Sequence, residues 1–317
     1  MIDTWLTRTF GLTVPVVGAP MAGPGEGGLA AAVSAAGGLG MVGLNASRSP
    51  AWIAEQAAVA AAPGAPYGVG LMAWVLERGD TQLEAVMSLD PAPALVSVSF
   101  GDVAPFVGRL RERGLRVAVQ AGTVAEAVAA EAAGADVVVA RGAEGGGHGR
   151  DEVATLPLLQ GVLDRVSVPV LAAGGIVTAR GLAAVLAAGC AGAWIGTALL
   201  ATREAGTSAA ARRRLLGADE TGTAYGRVFD VAQRIPWPPE YGGRGLRNDY
   251  FDRWRDRLDE LATDDGAAGE LAEARAAEDY DTAYVYAGQG VGLLTEERSV
   301  ADVLADLAGA ERLLRRF

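Results

Sequence analysis

A single histidine, His148, occurs in the 317 residues, and it stands in the stretch VVVARGAEGGGHGRDEVAT, residues 137–155. An imidazole titrates near neutral pH, which suits it to take a proton from carbon or to return one. Gly145, Gly146 and Gly147 precede it, and glycines there let a flat ligand lie against the backbone without side-chain obstruction. Two further Gly-rich stretches carry a second chemistry: LAAGGIV, residues 171–177, with Gly174 and Gly175, and WIGTALL, residues 194–200, with Gly196 and Thr197. Glycines at strand ends let backbone N–H groups approach a phosphate, and a short helix after them turns its positive end toward it. The Thr197 hydroxyl can add one hydrogen bond. Each feature also has a plain structural reading: an incidental histidine in a surface loop, and glycines that only make tight turns.

Composition removes many other mechanisms. All 27 basic residues are arginines. Without lysine there is no Schiff-base aldolase or pyridoxal-phosphate chemistry and no Walker-type phosphate loop. One cysteine, Cys190, and one histidine leave no internal disulfide and no Cys/His zinc site, so no metal is expected. The formal net charge of −11 opposes nucleic-acid binding. The apolar run 29–44 is too short to span a membrane and is broken by glycines. The first residues lack a basic-then-apolar leader pattern, so the expected location is cytoplasmic. Gly38 to Gly43 matches G-x-G-x-x-G, but it runs into a strand rather than from a strand into a helix, the wrong order for a dinucleotide site. Cys190 reads as a small core residue, and Arg212, Arg213 and Arg214 as a solvated face.

The elements that must position these residues alternate. Short Val/Ile/Leu runs at 14–20, 39–44, 67–73, 94–100, 116–122, 135–142, 169–175 and 191–197 are separated by Ala-rich helical segments such as 123–134 and 178–189. Thr123 and Thr178 stand at N-cap positions, and Gly134 and Gly189 at the stops. The strands are apolar throughout rather than alternating, as in parallel strands covered on both faces. Eight such units predict a (β/α)8 TIM barrel, with a doubly wound open sheet as the alternative. The pattern changes after residue 205, where aromatic, Pro-rich and charged sequence leads into helical segments. The expected organisation is a barrel over 1–205 and a C-terminal, mainly helical lobe over 206–317 that packs on the barrel mouth. In a barrel, His148 and the paired glycines all lie at C-terminal strand ends, on one face.

Four motifs, GAPMAG after the first strand, ARGAEGGGHG after the sixth, AAGGI after the seventh and IGTALLATRE after the eighth, together resemble the nitronate monooxygenase family, formerly called 2-nitropropane dioxygenases. The resemblance spans about 200 residues of the barrel. It implies an FMN-dependent barrel enzyme that converts nitronates or nitroalkanes, with O2, to a carbonyl compound and nitrite. It implies Ala19, Pro20 and Met21 beside the flavin ring, Gln120 and Arg141 among the cofactor contacts, and Gly146 and Gly147 along the ring. Gly174, Gly175, Gly196 and Thr197 would hold the phosphate, and His148 would be the base at the carbon bearing the nitro group. Flavin-dependent enoyl-acyl-carrier-protein reductases and some quinone reductases share the scaffold. An FMN-dependent NAD(P)H oxidoreductase is therefore the alternative, and a non-catalytic FMN- or phosphate-binding module is a third reading.

The sequence departs from the family pattern at four places. Gly70 replaces a usual Asn, Arg141 and Trp194 replace usual glutamines, and Gly145 replaces a usual Ala. Arg141 is expected either to stabilise negative charge on the flavin or to pair with Glu144, Asp151 or Glu152. The aromatic residues Trp237, Tyr241, Tyr250 and Trp254 either roof the site or form a subunit contact, and a homodimer is left open. The expected partners are a small nitronate or nitroalkane and O2.

Overall fold

A computed structural model describes residues 2–316. Eight parallel strands form one sheet: β1 (Val16–Gly18), β2 (Gly40–Gly43), β3 (Tyr67–Met72), β4 (Leu95–Ser99), β5 (Val117–Ala121), β6 (Val137–Arg141), β8 (Val170–Ala173) and β9 (Gly192–Ile195). Their order is β1-β9-β8-β6-β5-β4-β3-β2. The two ends meet through a bridge between Val17 and Leu39, with Gly18 N–H donating to Leu39 O at 2.9 Å and Leu39 N–H to Val16 O at 3.0 Å. That closure decides between the barrel and the open sheet in favour of the barrel.

All eight predicted strands are present, each shorter than its apolar run, the first most of all: Val16–Gly18 within 14–20. Alternate side chains divide the core as a two-faced strand requires. Val17, Met41, Val137, Val139, Leu171, Ala173 and Trp194 pack together, with Leu6 and Leu12 from the N-terminal segment joining them. Val16, Val42, Val138, Ala140, Ala172 and Ile195 pack instead with helix residues. The helix Val124–Ala132 starts as expected, its Glu126 N–H bonded to the Thr123 hydroxyl, whereas Thr178 occupies its cap position without a side-chain cap bond.

The last helix pair returns to the barrel. Val300–Ala308 opens with a Ser299/Asp302 capping box and buries Val300, Val303, Leu304 and Leu307, the i, i+3, i+4, i+7 stripe of an amphipathic helix. It packs against the helices Gly27–Ala35 and Ala179–Ala187, which follow β1 and β8. This is the place of an eighth barrel helix.

Between β9 and this helix lies the C-terminal lobe, mainly helical, with its own core of Phe229, Tyr250, Phe251, Trp254 and Leu271. It also carries an element absent from the sequence reading. Strands β10 (Thr223–Gly226) and β11 (Gly243–Leu246) pair antiparallel, and β11 pairs in turn with β7 (Gly147–His148). The lobe therefore holds the histidine loop through a three-stranded sheet. Among the described residues, no helix is long and apolar enough to cross a membrane.

Candidate active site

Pairing fixes where His148 goes. Gly243 stands opposite His148 and Arg244 opposite Gly147. Arg244, largely buried, ties the loop down further: its Nε donates to Ala143 O at 2.8 Å and an Nη to Asp151 Oδ1 at 2.5 Å. The imidazole is 12% exposed, with Nε2 2.9 Å from Asp230 Oδ1. Asp230 comes from the short lobe helix Val228–Ala232. It is 2% exposed, and its Oδ2 is buried without a partner.

The Tyr286 hydroxyl donates to Asp230 Oδ1 at 3.4 Å. Burial first, then the neighbouring Asp230, pushes the Tyr286 phenol well above its ordinary range, so it stays protonated. A carboxylate that accepts from Nε2–H selects one tautomer and leaves the lone pair on Nδ1. Nδ1 has no protein hydrogen bond among the described residues. The arrangement is an oriented base whose free nitrogen can meet a ligand.

Aromatic rings wall this base. Trp237 stacks on the imidazole at 3.7 Å and 5° between planes. Trp74 and Phe100 pack on Trp237 at 5.1 and 5.2 Å, and Tyr241 packs on Phe100 at 5.5 Å. Phe100, just past β4, has φ 70°, a conformation a bulky residue rarely adopts. Such strain gathers at functional sites. Tyr241 is anchored outside by its hydroxyl, which donates to Glu126 Oε1 at 3.1 Å. Trp237 and Tyr241 thus roof the site, while Tyr250 and Trp254 belong to the lobe core.

A second group of residues converges beside it. Gly174 and Gly175 follow β8, and Gly196 and Thr197 follow β9. The amide N–H groups of Gly175, Gly196 and Thr197 have no protein acceptor among the described residues, while the pairing of Ala173 with Trp194 turns the Gly174 N–H toward the Trp194 carbonyl. Gly175 is exposed, has φ 72°, and a Cβ there would meet nothing closer than 3.8 Å. The Thr197 hydroxyl accepts from Gly288 N–H at 2.9 Å, which leaves its own hydrogen free to donate. The segment Ala287–Gly290 borders the group, with Gln289 N–H donating to Glu144 O at 2.9 Å. Unpaired amides, a free hydroxyl hydrogen and small side chains are what a phosphate monoester needs.

The remaining assigned residues fall around these two centres. Ala19 and Met21 border Gly196: its Cβ position lies 3.6 Å from Ala19 Cβ and 3.3 Å from the Met21 sulfur. The Gln120 side chain, half-buried at the end of β5, has no protein hydrogen bond among the described residues. Gly147 is open on its Cα, whereas Gly146 packs so closely on Ala287 and Gly288 that a Cβ would lie 2.5 Å from Gly288 N. Pro20 packs on Gly70, where a Cβ would lie 2.5 Å from its ring carbons, so asparagine has no room there. Trp194 fills the barrel interior.

Arg141 points into its own loop, and the expected ion pairs with Glu144, Asp151 or Glu152 do not form among the described residues. Glu144 accepts from Thr155, Asp151 pairs with Arg244 and Glu152 with Arg150. Trp237 was among the aromatic residues expected to roof the site or form a subunit contact, whereas Asp230, Tyr286 and Gly288 escaped the sequence reading. The aromatic, Pro-rich run at 235–241 was the one signal that marked that region.

A closed parallel barrel, free amides after its last two strands and a base at the same mouth are the features of flavin-dependent oxidoreductase barrels. Comparison with known proteins agrees. The nitronate monooxygenase family profile matches residues 3–309, and the chain belongs to that family, whose members are FMN-binding oxidoreductases. It is 32% identical to a nitronate monooxygenase of Pseudomonas aeruginosa, over 92% of this chain and 94% of that one. It is 34% identical to a Mycobacterium tuberculosis (3aS,4S,5R,7aS)-5-hydroxy-7a-methyl-1-oxo-octahydro-1H-indene-4-carboxyl-CoA dehydrogenase, over 74% of this chain and 66% of that one. Among solved structures, FabK from Thermotoga maritima superposes with a TM-score of 0.85 at 27% identity, covering 100% and 98% of the two chains. Nitroalkane oxidase from Streptomyces ansochromogenes superposes with a TM-score of 0.83 at 30% identity, covering 98% and 99%.

Proposed function

We propose that this protein is an FMN-dependent nitronate monooxygenase acting on small nitroalkanes and their nitronates, with His148 as the base. The observation that carries the reading is the His148–Asp230 contact at 2.9 Å, with Nδ1 left unpaired inside an aromatic enclosure. A neutral nitroalkane is a carbon acid. Nδ1 takes the proton from the carbon bearing the nitro group, and the buried Asp230 carboxylate stabilises the imidazolium that forms. Trp237, Trp74 and Phe100 exclude water from the anion and favour a small, apolar substituent on it.

In this reading Gly174, Gly175, Gly196 and Thr197 hold the phosphate of FMN. Ala19, Met21, Gln120 and Gly147 border its ring. Bound there, FMN supplies the electron acceptor that passes electrons from the nitronate to O2. The products are a carbonyl compound and nitrite.

A second reading, an FMN-dependent NAD(P)H oxidoreductase acting on an enoyl thioester or a quinone, draws on the similarity to the mycobacterial carboxyl-CoA dehydrogenase. Anaerobic mixing separates the two. The expected result is loss of visible flavin absorbance with a nitronate and none with NADH or NADPH, followed in air by nitrite release. Bleaching by the nicotinamides alone overturns the first reading. Undiminished turnover by His148→Asn on a neutral nitroalkane removes His148 as the base.

A further inference from the structure

We propose that Arg141 is a positioning residue, and that Arg141 and Gly145 act as one coupled unit that shapes the loop presenting His148. The inference rests on His148 being the proton-transfer group.

Arg141 is the last residue of β6 and is 3% exposed. One guanidinium nitrogen donates to Arg150 O at 2.8 Å. Another faces Gly145 O at 2.6 Å, Gly147 O at 3.0 Å and Gly146 O at 3.2 Å. These carbonyls lie on both sides of His148 in the chain. Among the described residues no carboxylate pairs with this guanidinium, and burial pushes its ionisation down to about 10. A buried cation held only by carbonyl dipoles has lost its hydration without an ion partner. In exchange, a rigid planar fork of donors draws successive carbonyls to one centre. A glutamine in this place offers one amide and no charge.

The sterics tie position 145 to position 141. A Cβ on Gly145 would lie 2.8 Å from Arg141 Nε and 3.1 Å from Cζ, and one on Gly149 would lie 2.6 Å from Cζ. The guanidinium therefore occupies the volume in which a methyl group at either position would sit. An arginine tip is mobile at a surface, but this one is enclosed and bonded, so alanine at 145 must expel it. Two departures in the histidine motif, Arg141 and Gly145, are thus one change: the guanidinium needs the glycine, and alanine needs a shorter side chain at 141.

A double-mutant cycle tests this in the flavin-loaded enzyme, with Arg141→Gln, Gly145→Ala and the two combined. Gly145→Ala is expected to lower kcat/KM on a neutral nitroalkane about 10- to 100-fold, the size of effect that a displacement of about 1 Å produces. Adding Arg141→Gln is expected to restore most of it. His148 is the sole histidine, so its imidazole NMR signals are assigned without ambiguity. Their shifts and titration midpoint, and the pH–rate profile, are expected to move in Gly145→Ala and return in the double variant. A Gly145→Ala chain that folds only when accompanied by Arg141→Gln also supports the coupling. A double variant no better than Gly145→Ala in folding, rate and His148 signals overturns it, as do single variants that change melting temperature while leaving those signals untouched. The folding and NMR readouts use no substrate. They decide the coupling even where His148→Asn turns over normally and removes the role assigned to His148.

Discussion

Replacing Asp230 by asparagine removes one charge from the site and leaves its shape. The carboxylate is 2% exposed and faces the imidazole at 2.9 Å, so its hydrogen bond to the imidazolium is charge-assisted and shielded from water. Such a bond contributes about 1.5–3 kcal/mol, which corresponds to a loss of roughly 10- to 150-fold in rate. A second effect adds to it. An asparagine amide that donates to Nε2 places the ring proton on Nδ1, the atom that must accept from carbon. Tautomer reversal of this kind costs on the order of 10⁴-fold in a comparable His–Asp arrangement.

The assay is steady-state nitrite release with two forms of one compound, the neutral nitroalkane and its preformed nitronate. The nitronate has already lost its proton, so it bypasses the base. Asp230→Asn is expected to lose at least about tenfold in kcat/KM on the nitroalkane and little on the nitronate, with flavin content unchanged. Equal losses on both forms, or no loss on the nitroalkane, refute the reasoning: Asp230 would then act on something other than the tautomer and charge of His148.

Two further outcomes follow from geometry and burial. Gly175→Val puts a β-branched side chain at φ 72° and into the amide group, a backbone cost of about 1–2 kcal/mol. The chain is expected to fold and to lose FMN on gel filtration; a full flavin-to-protein absorbance ratio contradicts the phosphate assignment. Cys190 lies at the opposite end of the barrel, where burial pushes its thiol up to about 11 from an ordinary value near 9.0. The folded state keeps this proton longer than the unfolded state does. The stability it contributes is therefore whole below about pH 9 and is lost as pH rises through about 11, by on the order of 2–3 kcal/mol. Cys190→Ala is expected to flatten the fall of melting temperature between those values, and identical slopes in the two proteins contradict it.

The barrel was legible because its signals are local. Continuous apolar runs at regular spacing can be buried on both faces only in a parallel sheet, and the glycines mark strand ends whatever the rest of the chain does. The closing helix Val300–Ala308 shows its amphipathic stripe in the sequence, but only packing against the helices Gly27–Ala35 and Ala179–Ala187 places it in the barrel wall rather than the lobe.

The same division runs through the site. His148, Gly175, Gly196 and Thr197 stand out by residue type and by position after a strand. Asp230, 82 residues from His148, does not, because nothing in its surroundings in the chain distinguishes it from other acidic residues. It becomes a partner when β11 pairs with β7 and brings the lobe over the barrel mouth. Arg141 shows the converse. Its departure from the family pattern was visible, but its meaning depended on where the guanidinium points, and that is set by four carbonyls and by two glycines with no Cβ in its way. Strand periodicity and residue chemistry are properties of short segments, so the sequence carries them. The direction of a buried charge and the partner of a lone base depend on contacts between distant segments, and those exist only once the lobe has packed on the barrel.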